Sequence, residues 1–233
     1  MTTADPRALA VDYLLATRVR DEAVPILEWR LAELDRGELC GALDDDASRI
    51  AFWVDIYNAA VVRMGVTGLS ERGGRLRFFR QPAVTVAGQA LSLDAMEHGI
   101  LRRSRYKLSL GYATNPCPGA FERRYRVEGV DPRIHFALNC GAASCPPIAA
   151  YRHEQLDQQL DLATRGYLSA ELERRDGSLL VPSLMLWYLA DFGGPPGLRR
   201  FLRRHGVDDA GRPIRFKRYD WTPTPDNWSP EES

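Results

Sequence analysis

The apolar positions recur first at helical spacing. Between residues 6 and 34, Leu9, Tyr13 and Leu14, then Val24, Leu27, Leu31 and Leu34, predict two helices, with Pro25 in the first turn of the second. Gly37 and Gly41 punctuate the exit. Asp44, Asp45 and Asp46 precede Ser48, which reads as the N-cap of the next helix. From Arg49 to Met64 the chain is apolar almost all round, through Ile50, Phe52, Trp53, Val54, Ile56, Tyr57, Val61 and Val62. A helix with no polar face is a central one. Its polar exceptions, Asp55 and Asn58, are three apart and share a face. Buried polar groups need partners. The pair therefore either faces a binding site or ties down the backbone of a neighbouring loop.

Further on the spacing changes. Residues 68–82, rich in Gly and Arg, read as a loop. Ala83–Ala87 reads as a short strand, with a turn at Gly88-Gln89. Ser92 caps a helix reaching about Arg103, with Asp94 in its first turn and Leu93, Met96 and Ile100 inward. Residues 109–131 form a long irregular connection, with a short strand at Arg124–Val127. Arg133–Leu138 reads as an apolar strand. Residues 152–168 carry Leu156, Leu160, Ala163 and Tyr167 on one stripe of a helix. Leu179–Val181 is a strand, Ser183 caps a helix running to Phe192, and Gly193-Gly194-Pro195-Pro196 breaks it. A basic helix to His205 and a strand at Ile214–Tyr219 come after it. Residues 222–233 read as a loose tail.

Composition narrows the class. The chain has 233 residues, 45% hydrophobic and 27% charged, which suits a globular fold with a sizeable core. Lys+Arg and Asp+Glu are 31 each, so no global field attracts nucleic acid or an anionic membrane. No apolar run is long enough for a membrane span. The opening Met-Thr-Thr-Ala-Asp-Pro lacks the basic and apolar regions of a signal peptide. The cytoplasm is the expected compartment, where thiols stay reduced. The four cysteines, Cys40, Cys117, Cys140 and Cys145, are too few for a disulfide scaffold. With no Cys-x-x-Cys pair, neither a metal site nor a cofactor is indicated.

The candidate chemistry concentrates between Asp131 and Pro147. Strand ends that open into loops are where folds place reactive groups. Cys140 and Cys145 are candidate nucleophiles if a base or a helix N-terminus lowers a thiol pKa. Gly141 leaves room beside them, and Pro146-Pro147 stiffen the exit. On a strand, His135 and Cys140 point to opposite faces. His135 would then meet a group from another element, such as Glu97 or Asp55. Glu97 and His98 form a second titratable cluster. On an ordinary helix, adjacent residues diverge by about 100°, so one faces in and the other sits at an edge. A buried Glu97 would have a raised pKa suited to acid–base work, or would pair with Arg133. Asn139 belongs to the candidate binding surface. His135 can equally be a satisfied core residue. His153 and His205 read as surface residues.

Several of these segments together resemble an uncharacterised family, catalogued as domain of unknown function 547. They are Ala51–Ala59, Leu91–Leu101, Asp131–Pro147, Gln155–Leu168, Val181–Tyr188 and Tyr219-Asp-Trp221. The resemblance spans roughly residues 45 to 221. It departs at Asp55, where the family usually has Asn. It implies no activity, so function rests on the residues.

The expected fold is α+β: a small central mixed sheet, from strands near 84, 134, 180 and 215, covered by helices. An N-terminal helical segment (1–44) precedes the domain (45–221), and the tail comes last. Two functional readings compete. In one, a thiol-dependent hydrolase or transferase uses Cys140 or Cys145, with His135 or His98 as base and Glu97 as orienter. In the other, a non-catalytic module binds a small molecule or peptide around Asp55, Asn58, Arg133 and Asn139–Cys145. A redox or metal-sensing module is a third reading.

Overall fold

Helix α1 (Pro6–Val19) starts on a built cap: the Asp5 carboxylate accepts from the Arg7 N–H at 3.0 Å, and Pro6 fills the first turn. Helices α2 (Val24–Ala32) and α3 (Arg36–Ala42) come next, the latter across the glycines read as an exit. Helix α4 (Asp46–Met64) is capped by Asp45, which accepts from Ser48 N–H at 2.7 Å. Ser48 therefore lies inside the first turn and is not the cap. This computed structural model describes residues 5–65, 72–225 and 227–230.

Almost every side chain of α4 from Ile50 to Val61 is buried, and α1 packs along it. Trp53 meets Phe52, Phe121 and Tyr125 edge-on or tilted, with centroids 4.9–6.5 Å apart. The loop expected over 68–82 lies partly outside the described residues. From Arg72 onward it is helix α5 (Arg72–Arg80). Strands β1 (Pro82–Val86) and β2 (Gln89–Ser92) form a hairpin. Its two turn residues, Ala87 and Gly88, have φ of 49° and 73°, the geometry whose twist matches the strands. The turn sits one residue earlier than its sequence reading. It docks by donating from Ala87 and Gly88 N–H to Leu31 and Ala32 carbonyls.

Ser92 does accept from Ala95 N–H, at 3.2 Å. The chain then winds into a π-helix, Ala95–Leu101, in place of the expected α-helix. Arg102 N–H reaches Glu97 O, five residues back, at 2.8 Å. The Arg124–Val127 strand is absent, because α6 (Ala120–Tyr125) occupies its first half.

Arg133–Leu138 is not a strand either. Asp131 accepts from Arg133 N–H at 2.9 Å, Pro132 presets φ, and Pro132–Phe136 closes as a 3₁₀ turn. Helix α7 (Leu156–Glu171) comes next. Strands β3 (Glu173–Arg175) and β4 (Ser178–Val181) then pair antiparallel. After α8 (Leu184–Trp187) and α9 (Gly194–Arg204), β5 (Ile214–Phe216) adds to β4 in parallel. The fold is α+β, with this three-stranded mixed sheet and the separate hairpin. The strand near 84 stays in the hairpin, and α4 holds the centre.

Two apolar clusters result. One gathers α1 to α4, the hairpin and the π-helix. The other gathers the C-terminal part of α7, strands β4 and β5, α8 and α9. The 3₁₀ turn lies between them: Ile134 and Ala137 join the first and Phe136 the second. His205, read as a surface residue, is buried against the Phe201 ring, 4.3 Å away.

Candidate functional site

The cysteine loop is held from three sides. From α4, Asn58 donates to Ala137 O at 3.0 Å and accepts from Asn139 N–H at 2.9 Å. Asp55 accepts from Tyr151 N–H at 3.0 Å. From within, Asn139 accepts from Gly141 N–H and donates to Pro146 O, both at 2.6 Å, closing the loop at its two ends. Gly141 turns the chain at φ 84°, a conformation that suits glycine. From outside, residues 219–225 and 227–229 form a strap. Ala143 N–H donates to Thr222 O at 2.9 Å, and Thr224 N–H to Gly141 O at 2.8 Å. Asn227 Nδ2 reaches Cys145 O at 3.2 Å. The described part of the tail, read as loose, is thus paired with the loop along its length.

The loop brings the two thiols into contact: Cys140 Sγ and Cys145 Sγ are 2.9 Å apart, and neither is in a disulfide. Three donors face the Cys145 sulfur. They are the Cys140 thiol, the Cys140 N–H at 3.1 Å and the Tyr219 hydroxyl at 3.1 Å. Burial pushes the Cys145 pKa up, but the hydrogen bonds from Cys140 and Tyr219 outweigh it and hold the group at about 7. Cys140 moves the opposite way. Its hydrogen bond to Cys145 and its burial keep it protonated well above the ordinary thiol range. Burial also raises Tyr219 far above its usual value, so its hydroxyl remains a donor.

Both sulfurs line a cavity of about 340 Å³. Its walls are mainly apolar, with Phe79, Leu138, Leu184, Trp187, Tyr188 and Trp221 among them. Glu97 and His135 reach the same cavity. Burial raises the Glu97 pKa, yet its electrostatic interactions with the neighbouring His98 ring and with Arg102, and a hydrogen bond from Tyr188, leave it below the ordinary value. Glu97 is a carboxylate rather than the proton donor expected of a buried acid. Tyr57 O–H lies 3.5 Å from it.

His135 Nε2 meets Asp191 Oδ2 at 2.8 Å, and its ring lies flat on Tyr188 with centroids 4.0 Å apart. Asp191 also binds Arg102 Nε and Arg105 Nη1, each at 2.6 Å. Burial pushes Asp191 up, but the bonds from His135 and Arg102 more than reverse it and keep it ionised. Burial keeps His135 and His98 neutral, lowering both. His98 Nδ1 lies 2.9 Å from Arg102 Nη1 and 3.7 Å from Glu97 Oε1. The adjacent pair therefore shares one buried neighbourhood, on a π-helix rather than the α-helix assumed for its angular spread.

Of the sequence candidates, the cavity gathers Glu97, His135, Cys140 and Cys145. His98, Asp55, Asn58 and Asn139 do not line it, and the last two latch the loop's backbone. Arg133 does not pair with Glu97. It binds Asp131, Asp157 and Asp161 at 2.7–2.8 Å. Three residues went unassigned in the sequence. Asp191 is a polar exception in Leu189-Ala190-Asp191-Phe192, the signal that singled out Asp55. Tyr219 lies in a segment of the resemblance. Tyr188 closes another segment of the resemblance, Val181–Tyr188. Among the described residues, no group of three or more His, Cys, Asp and Glu is placed to hold a metal ion, and no helix is long and apolar enough to cross a membrane.

The class defined so far is an α+β protein with a dithiol on the wall of an apolar cavity. The chain belongs to the family described as "Protein of unknown function, DUF547", whose model matches residues 42–168. That span holds the cysteine loop, Glu97 and His135, whereas Asp191 and Tyr219 lie beyond it. Neither the curated proteins nor the solved structures give a match.

Proposed function

We propose that the protein is a thiol-dependent hydrolase or transferase in which Cys145 is the nucleophile. The observation that carries this reading is the convergence of three hydrogen-bond donors on the Cys145 sulfur, at the wall of a cavity sized for a small apolar group. A thiolate formed there attacks the carbonyl carbon of an ester or thioester and displaces the leaving group. The nearest protons for that group are on Cys140 Sγ and Tyr219 O–H. Water then releases the acyl group in a hydrolase, or a second nucleophile takes it in a transferase.

Alkylation by iodoacetamide tests the nucleophile. The Cys145 rate should rise through about pH 7 and level off. Cys145→Ser should abolish both the labelling and any turnover of aryl esters. A rate that climbs only above pH 8.5 would remove Cys145 as nucleophile.

One observation favours the second reading, a non-catalytic ligand- or peptide-binding module. His135 spends Nε2 on Asp191, and among the described residues no imidazole or carboxylate is hydrogen-bonded to either sulfur. In that case Cys145→Ser should bind an aromatic ligand as tightly as the parent, and neither should turn esters over.

A further inference from the structure

We propose that Cys140 and Cys145 work as a dithiol–disulfide pair that reduces a small disulfide bearing an apolar group. This rests on Cys145 as the attacking sulfur and adds a different electrophile and a role for Cys140.

Three observations converge. First, the sulfurs are already in contact at 2.9 Å, so closing to a bond of ~2.05 Å needs a shift of under about 1 Å. The Asn139 latch and the strap keep the loop in that shape. Second, both sulfurs line one cavity whose other walls are mainly apolar. A disulfide entering it meets both members of the pair. Third, no base is hydrogen-bonded to either sulfur among the described residues. Releasing an acyl group from Cys145 to water needs a base there to activate the water. Exchange does not, because a thiolate leaves unaided.

The steps balance. The Cys145 thiolate attacks one sulfur of R–S–S–R′, the S–S bond breaks, and R′S⁻ departs and takes a proton at neutral pH. Cys145 is then held as a mixed disulfide with R. It can no longer accept the hydrogen bond that kept the Cys140 proton in place, so Cys140 becomes easier to ionise. The Cys140 thiolate attacks Cys145 Sγ, RS⁻ departs, and a Cys140–Cys145 bond closes. The pair has lost two electrons and R–S–S–R′ has become two thiols. Two equivalents of an external thiol, which leave joined as a disulfide, return the pair to its starting state. The Tyr219 hydroxyl, 3.1 Å from Cys145 Sγ and 3.6 Å from Cys140 Sγ, is a positioning group for both steps.

The test uses the full chain with Cys40 and Cys117 replaced by serine, reduced and freed of reductant, and dithiobis(nitrobenzoate) as the aromatic disulfide. The pair should release two equivalents of nitrothiobenzoate, and peptide mapping should find Cys140 joined to Cys145 with no adduct. Cys140→Ser should release one equivalent and keep the adduct on Cys145. Cys145→Ser should lose the fast reaction. Tyr219→Phe should slow the first release and leave the stoichiometry at two. A parent protein that keeps a stable adduct on Cys145, with no Cys140–Cys145 bond, overturns the dithiol proposal and leaves the acyl-transfer reading standing. Inert sulfurs in the folded protein overturn both.

Discussion

Asn58 shows how a buried amide governs a reactive loop it does not line. Its two ends satisfy the Ala137 carbonyl and the Asn139 N–H. Each of those backbone groups would otherwise be buried without a partner, at about 1–3 kcal/mol. Asn58→Ala should therefore lower stability by at least about 1–3 kcal/mol, read as a shift in the urea midpoint at constant slope. An unchanged midpoint would mean that water replaces the amide. The same substitution should blunt Cys145 alkylation, because Asn139 stands at the base of the thiol loop. Asp191 acts similarly on the far wall. One carboxylate holds His135, Arg102 and Arg105, and so fixes the face against which Tyr188 stacks.

At the scale of elements, α9 depends on one missing side chain. A Cβ on Gly197 would overlap the Phe192 carbonyl oxygen, a backbone atom with no freedom to retreat. Gly197→Ala should cost more than the usual ~1–3 kcal/mol of overpacking, and the loss should appear in a melting curve. A melting temperature within a degree of the parent would show that the turn can relax. The long helices were legible in the sequence because their apolar faces recur at one period over many residues. Helix α4 was legible for the opposite reason, the near absence of a polar face. The segment from Arg133 to Leu138 was not, because a short run of alternating apolar character fits a strand as well as a 3₁₀ turn. Asp131 before Pro132, a capping side chain and a preset φ, was the signal that separates the two. The π-helix is too short to leave a period of its own, so the closeness of Glu97 and His98 could not be read. The thiol loop was legible from its cysteines and glycine. Its partners were not, since Asp191 and Tyr219 come from elements that meet it only in three dimensions.

Across the whole molecule, the buried histidines and Asp191, which titrate on the acid side of neutrality, agree in sign. His98 and His135 have lowered pKa values because burial disfavours their charged forms. The unfolded chain then binds more protons than the folded one once pH drops below the ordinary histidine value of 6.5. The stability of the neutral pair is complete above that point and is lost as pH falls toward the folded values. Asp191 adds a second loss below 3.8, where the unfolded carboxyl starts to protonate first. The melting temperature should fall from pH 7 to pH 5 and fall again below pH 4; a flat profile between 7 and 5 would mean that neither histidine is held neutral. The strap adds a dimension of time. Tyr219 is 74 residues beyond Cys145, so at ordinary translation rates it leaves the ribosome roughly 4–15 s later. Loop closure takes well under a millisecond. For those seconds both cysteines exist in a growing chain without the Tyr219 hydroxyl that tunes them or the strap that holds their loop. The order of synthesis thus keeps the sulfur chemistry unarmed until the scaffold around it has been made.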